Sequence, residues 1–253
     1  MLLLSTENFN WYWLHRIFDF AKKSNYDWIE LVLNKNQYDY WDADYILWLI
    51  KDFWVKVLSL KAPKKWLNEK IVDKIVNLAL KIWAKNITFT PPHFRDKNIT
   101  WYLDYLLEIK KKKNIFISIQ NVEPKFILFI IPEYKDANLK QIKKITGDTA
   151  INFSSIDPSS GIDIMKALQV LSWSLRNIYI SDTNWPKTKL LPAQASWETS
   201  YLPIESFLMK LKAISYNNFI TLEISPKELG VWNNTKILEN LEKFKKYYEK
   251  YFK

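Results

Sequence analysis

Glu223, Lys61 and His93 are the residues of this chain best suited to reactive chemistry. Glu223 lies near the end of the apolar run Phe219–Ile224, where a carboxylate can take or return a proton. Lys61 follows the run Val55–Leu60. Its amine suits a Schiff base or an anion, and a salt bridge to Glu30 is the plainer use. His93 follows Asn86–Thr90 and a Pro91-Pro92 step. The only other histidine, His15, falls on a helical apolar pattern and reads as structural. Glu30, Gln120, Asn121, Glu123, Asn152, Ser154, Tyr179 and Asp182 also stand at or just beyond the ends of apolar runs. They are the candidate substrate-binding set. Each alone is an ordinary capping or solvated polar residue; together they carry weight only if the fold brings strand ends together.

The elements that would do so recur along the chain. Leu2–Ser5 reads as a strand, Leu14, Ile17, Phe18 and Ala21 as a helix face, and Tyr26–Leu33 as a second strand. Further strands are expected at Val55–Leu60, Asn86–Thr90, Ile115–Ile119, Thr149–Phe153, Leu175–Ile180 and Phe219–Ile224. Helical patterns lie between them, around Tyr45–Phe53, Asn68–Ile82, Tyr102–Ile109, Leu139–Ile145, Ile162–Leu171 and Pro203–Ile214, with Thr235–Tyr251 last. Strand–helix alternation over eight strands in 253 residues predicts a single (β/α)₈ barrel, residues 1–253, with its site at the C-terminal ends of the strands.

Composition narrows the function. There is no cysteine, which excludes disulfides, thiolate metal sites and thiol nucleophiles. No apolar run is long enough to span a bilayer, and Met1–Leu4 is too short for a signal-peptide core. The expectation is a soluble cytoplasmic protein without membrane partners. The net charge is +10, with 37 basic residues. Arginine occurs only as Arg16, Arg95 and Arg176, so nearly all of the charge is lysine. That reads as solvated lysine faces more readily than as a nucleic-acid surface.

The glycine count is the anomaly: 3 Gly stand against 13 Trp. Joints from helix to strand often need a residue at positive φ, where Gly or Asn belongs. Gly147, Asn25 and Asn114 fit such joints, whereas Trp54, Trp83 and Trp173 stand at the equivalent ones. Asn10-Trp11, Trp13, Asp27-Trp28 and Asn184-Trp185-Pro186 also place tryptophan where turn chemistry asks for glycine. A UGA codon read as glycine in the living cell but translated as tryptophan would account for both count and position. Trp48 and Trp101 lie on helical apolar faces and suit true tryptophans.

With glycine at those positions the opening holds a Gly-Tyr-Gly loop and Tyr-Asp-Gly-Ile-Glu. It is followed by Val-Lys-Val-Leu-Ser-Leu-Lys61-Ala-Pro and Tyr216-Asn-Asn-Phe-Ile-Thr-Leu-Glu223-Ile-Ser-Pro. This ordered set resembles the xylose isomerase-like TIM-barrel superfamily, which includes sugar phosphate isomerases and epimerases and AP-endonuclease relatives. The resemblance implies a divalent metal (Mn, Mg or Zn) held by Glu, Asp, His and Glu after strands five to eight, the two Glu serving as acid and base. By position this chain offers Gln120, then Asn152 or Phe153, then Tyr179, then Glu223. Only Glu223 matches. The His usual after strand three is Lys61, the Ser-His after strand six is Ser155-Ile156, and the Pro-Gly-Glu-Gly-like loop is Pro192-Ala193-Gln194-Ala195. Amides and a phenol supply little charge to a hard cation. The expectation is a weak or absent metal site and no other cofactor. Three functions follow in order: a sugar (phosphate) isomerase or epimerase with an altered metal site; a non-catalytic barrel binding a carbohydrate-like or anionic ligand; and, least, a DNA-repair endonuclease, for which two histidines are too few.

Overall fold

In the computed structural model, Leu2–Ser5 (β1) pairs in parallel with Trp28–Val32 (β2), Leu3 beside Trp28 and Ser5 beside Glu30. Leu14–Lys23 (α1) connects them. The structure describes residues 1–65, 67–93, 99–122, 126–127, 131–134, 143, 147–156, 164–171, 173–184, 188–192 and 203–253. The same unit repeats. Ala43–Phe53 (α2) leads to Lys56–Lys61 (β3), Glu69–Lys81 (α3) to Asn86–Phe89 (β4), and Ile99–Lys113 (α4) to Phe116–Gln120 (β5). Thr149–Asn152 (β6), Ile164–Leu171 (α5), Leu175–Ile180 (β7), Ile204–Ala213 (α6) and Phe219–Leu222 (β8) follow. Pro226–Leu229 (α7) and Asn234–Phe252 (α8) end the chain. The strands form a closed, all-parallel barrel in sequence order, shut by β8 against β1 with Leu2 beside Ile220. The predicted eight-stranded (β/α)₈ barrel is therefore the observed fold. The helix expected at Leu139–Ile145 lies outside the described residues, apart from Lys143.

Each strand alternates. Outward residues such as Ile29, Leu60, Ile87, Ile117, Ile178 and Leu222 are buried against the helices in one continuous core. Burying such side chains is the main stabilising term, roughly 1.5–3 kcal/mol each. The inward residues are a different material. Leu3, Leu58 and Phe219 form a small apolar plug of their own at the N-terminal end. Above it lies a polar belt. Asn86 donates to Ser59 and Thr88 at 3.1 and 3.0 Å, Ser118 donates to Asn86, and Thr221 donates to Asn177. Asn177 on β7 reaches across the barrel to Glu30 on β2 at 2.9 Å. Barrels are more often filled with branched apolar side chains. Here buried polar groups satisfy one another, so the belt is sustainable.

Local signals set the helix ends. Asn68 accepts from the backbone N–H of Ile71 at 3.0 Å, as expected of an N-cap, and Asp42 accepts from Asp44 and Tyr45. Asn25, Asn114 and Gly147 take positive φ before β2, β5 and β6. Trp54 and Trp83 do so before β3 and β4, with φ of 61° and 57°. Trp11 and Trp232 sit at 83° and 84°. All four rings are largely in solvent, Trp54 at 85% exposure. Trp173 is 92% exposed but is not among the positive-φ residues, and Ser215 holds the left-handed joint before β8. Trp48 packs on α2, its ring stacked between Tyr45 and His15. Trp185 lies outside the described residues, as does the side chain of Trp101. No helix among the described residues is long and apolar enough to cross a membrane.

Candidate functional site

Parallel strands deliver their last inward residues to one end of the barrel. Lys61 closes β3, Gln120 closes β5, Asn152 closes β6, Tyr179 is the penultimate residue of β7, and Glu223 directly follows β8. All are buried. At the centre is an ion cluster. The Lys61 ammonium donates to Glu223 Oε2 and, at 3.0 Å, to Glu7 Oε2, and lies 4.4 Å from the centre of the Tyr179 ring. Lys189 donates to Glu223 Oε1, which also accepts from Asn152 Nδ2 at 3.1 Å. Lys64 approaches Glu7 at 3.7 Å.

These contacts set the protonation states. Burial and the neighbouring Glu7 oppose ionisation of Glu223, but Lys189 and Lys61 outweigh them and hold its carboxyl below the usual range. Burial likewise opposes the charge on Glu7, and Lys61, Lys189 and Lys64 prevail. Lys61 loses solvation on burial, yet Glu223, Glu7 and Glu30 raise it above an ordinary lysine. Its ammonium is taken up by two carboxylates, whereas an amine must be neutral to attack a carbonyl, so these contacts favour an ion-pair use over the Schiff base among the alternatives the sequence offered. The expected Lys61–Glu30 salt bridge is corrected. The β2–β3 register sets Lys61 beside Val32 and Glu30 beside Ser59, one layer deeper. Glu30 Oε1 accepts from Ser59, Asn177 and Tyr179 at 3.0, 2.9 and 2.9 Å, and Oε2 has no hydrogen-bond partner among the described residues. Burial pushes its pKa up to about 7. Tyr179, spent on Glu30 and buried, is raised well above an ordinary phenol, first by burial.

The remaining candidates divide. Between Asn152 and Phe153 the register is settled: Phe153 packs on Phe207 with ring centres 4.7 Å apart, away from the cluster. Asn121 clasps the Asn152 backbone through both ends of its amide, at 2.6 and 3.1 Å. Ser154 donates to Asn152 Oδ1. Asp182 opens the short ribbon Asp182–Asn184 with Thr188–Leu190, which carries Lys189 inward. His93 is buried against the Tyr134 ring, its Nε2 3.5 Å from Glu133. Glu133 also pairs with Lys65 at 3.1 Å. Glu123 lies outside the described residues. Two cavities open over the mouth. One, of about 580 Å³, is lined by Glu7, Lys35, Tyr40, Lys61, Lys64 and Lys65 among others. The second, of about 350 Å³, takes in Lys64, Lys65, Gln120, Asn152, Ser154 and Lys189. Gln120 Oε1 is buried and finds no hydrogen-bond partner among the described residues. Glu30, His93, Asn121, Tyr179, Asp182 and Glu223 line neither cavity, so the candidates expected to share one cavity are divided.

Sequence reasoning missed Glu7, Lys64, Lys65, Glu133 and Lys189. Glu7 had a usable signal, since it lies two residues past β1. Lys189 had none, because it stands in a polar stretch without the apolar alternation that marks a strand.

The fold has solved counterparts. The IolI protein with a bound zinc atom superposes with a TM-score of 0.74 at 15% identity, over 99% of both chains. The fold is that of the xylose isomerase-like barrels. A D-tagatose 3-epimerase-like protein aligns at 0.67 and 15% identity over 98% of each chain. A xylose isomerase domain-containing protein from Salmonella typhimurium aligns at 0.67 and 12% over 98% of this chain and 97% of its own. No family model and no curated protein sequence matches the chain. At these identities the likeness is one of fold.

The residues present do not fit the divalent metal of that fold class. Among the described residues no three His, Asp or Glu side chains gather as ligands. Both Glu223 oxygens already serve ammonium groups, and the other strand-end donors are two amides and a phenol whose proton goes to Glu30. A hard cation wants carboxylate oxygens that are free to turn to it.

Proposed function

We propose that this chain is an isomerase/epimerase-like barrel that has kept ligand binding at its mouth, holding a sugar phosphate or sugar acid without a divalent ion and without isomerising it. The observation that carries this is the charge of the mouth. Lys64 and Lys65 line both cavities, with Lys35 and Lys61 in one and Lys189 in the other, against Glu7 and Glu133. Lys64 and Lys65 have about half their side-chain surface in solvent. Such a rim favours an oxyanion. Gln120 Oε1, Asn152 and Ser154 supply the acceptors and donors a hydroxylated carbon skeleton needs. Isomerisation has weaker support. The strand-end carboxylate that would serve as base, Glu223, is shifted down and held by two ammoniums, a poor base for a sugar carbon.

Calorimetric titration with a panel of sugar phosphates, sugar acids and the parent neutral sugars tests the reading. A phosphorylated or acidic member should bind, and K64M/K65M should weaken it by at least about tenfold, the cost of roughly 1.4 kcal/mol. Equal binding of the neutral sugar, or no effect of the double substitution, would overturn it.

We further propose that the joint tryptophans are glycine in the living protein, encoded by UGA. Supporting this, Trp11, Trp54, Trp83 and Trp232 combine positive φ with large exposed rings. A β-carbon in the left-handed region costs roughly 1–2 kcal/mol. W54G and W83G should each raise unfolding stability by about 1 kcal/mol in urea titrations, and the peptides of the native protein should carry glycine mass at these positions. Tryptophan in native peptides, from UGG codons, would refute it.

A further inference from the structure

We infer that the Lys61 ammonium is the resident cation of this barrel, standing among the strand-end residues in place of a divalent ion and making the mouth independent of metal. The inference rests on the mouth being the ligand site and adds how that site is held together. Lys61 has 2% of its side chain exposed and Glu223 has 1%, so this pair is almost wholly withdrawn from solvent. The ammonium does there what a cation would do. It binds one carboxylate from beyond β8 and one from beyond β1, and it rests on the face of Tyr179 from β7. The stem that carries it belongs to β3, so one side chain ties four strands at their C-terminal ends. Lys189 completes the arrangement from outside by taking the second oxygen of Glu223, which Asn152 shares.

Charge explains why a metal has no place beside it. Among the described residues Lys61, Lys189 and Lys64 surround Glu7 and Glu223, three ammoniums to two carboxylates in direct contact, with Glu30 one layer below. A divalent ion would add to that excess and would have to strip two ammoniums from Glu223 to gain one ligand. An oxyanion arriving over Lys64 and Lys189 relieves the excess instead. Gln at the end of β5 and Asn at the end of β6 are then suitable rather than defective, because an internal ammonium needs no further anionic ligand.

The test uses the full chain, with Mn²⁺ and inorganic phosphate as probes. Electron paramagnetic resonance should detect no stoichiometric Mn²⁺ on the unmodified protein, and inorganic phosphate binding should be unchanged by EDTA. Removing both ammoniums in K61M/K189M leaves Glu223 with only the Asn152 amide and Glu7 with only Lys64, and Mn²⁺ affinity should rise by about tenfold or more. Should that variant not fold, K61Q, which keeps a polar group against Glu223, carries the same comparison. Stoichiometric Mn²⁺ on the unmodified chain would overturn the inference, as would a folded variant with no gain in Mn²⁺ affinity. Failure of phosphate and sugar phosphates to bind while the Mn²⁺ results hold would strike the ligand reading alone.

Discussion

Lys61→Met should cost about 3–5 kcal/mol of folding stability, the range for removing one member of a buried ion pair. Glu223 is almost fully buried and would keep only Lys189 and the Asn152 amide, while Glu7 would lose its closest ammonium. The cost is the stranded carboxylate, not the attraction that was lost. It follows that K61M/E223Q should recover most of the deficit, because an amide at position 223 removes the charge that needed compensation. Urea titrations of the three proteins at neutral pH check this. A loss below about 1 kcal/mol for K61M would mean that water reaches the cluster and that the pair behaves like a surface bridge.

The same cluster shows what could be read from the sequence. Strand–helix alternation is a local pattern, and it placed every barrel strand because each outward face is a run of Ile, Leu, Val and Phe. Closure of a parallel barrel then forces strand ends together, which is why Lys61, Gln120, Asn152, Tyr179 and Glu223 could be grouped without coordinates. Partner choice inside the group was not legible. It depends on depth, and depth depends on register. Position along the strand suggested Glu30 for Lys61; the β2–β3 pairing, with its shift between Ile29 and Glu30, sinks Glu30 to the level of Ser59 and leaves Lys61 to Glu7 and Glu223. His93 shows the converse. It lies four residues past the end of β4 and turns toward Tyr134 and Glu133, in a connection whose pairing no periodicity announces. The polar belt was visible in principle as Ser59, Asn86, Thr88, Ser118, Asn177 and Thr221 at alternate positions. Short strands read as buried runs conceal it.

Glu30 gives the second large effect, and its sign is fixed by the direction of its shift. Its pKa rises from 4.5 to about 7, chiefly because burial penalises the charged form, with Lys61 opposing and Glu223 adding. Between those two values the folded chain holds a proton that the unfolded chain has released. Stability must then fall as pH rises through this window and level off above it. The full swing is on the order of 3 kcal/mol. Glu7 and Glu223 are shifted down, so their contributions change only at more acid pH. The N-terminal amine is lowered from 8.0 to about 6, first by burial, and it pulls the other way between those values. The comparison that isolates Glu30 is therefore wild type against E30Q, in which the amine cancels. Gln at 30 can still accept from Ser59, Asn177 and Tyr179 and carries no charge at any pH. The stability of wild type relative to E30Q should drop between pH 5 and pH 8, read from urea midpoints at each. A difference that stays constant across that range would mean that Glu30 is ionised in the folded chain throughout, its pKa no higher than that of an ordinary carboxylate.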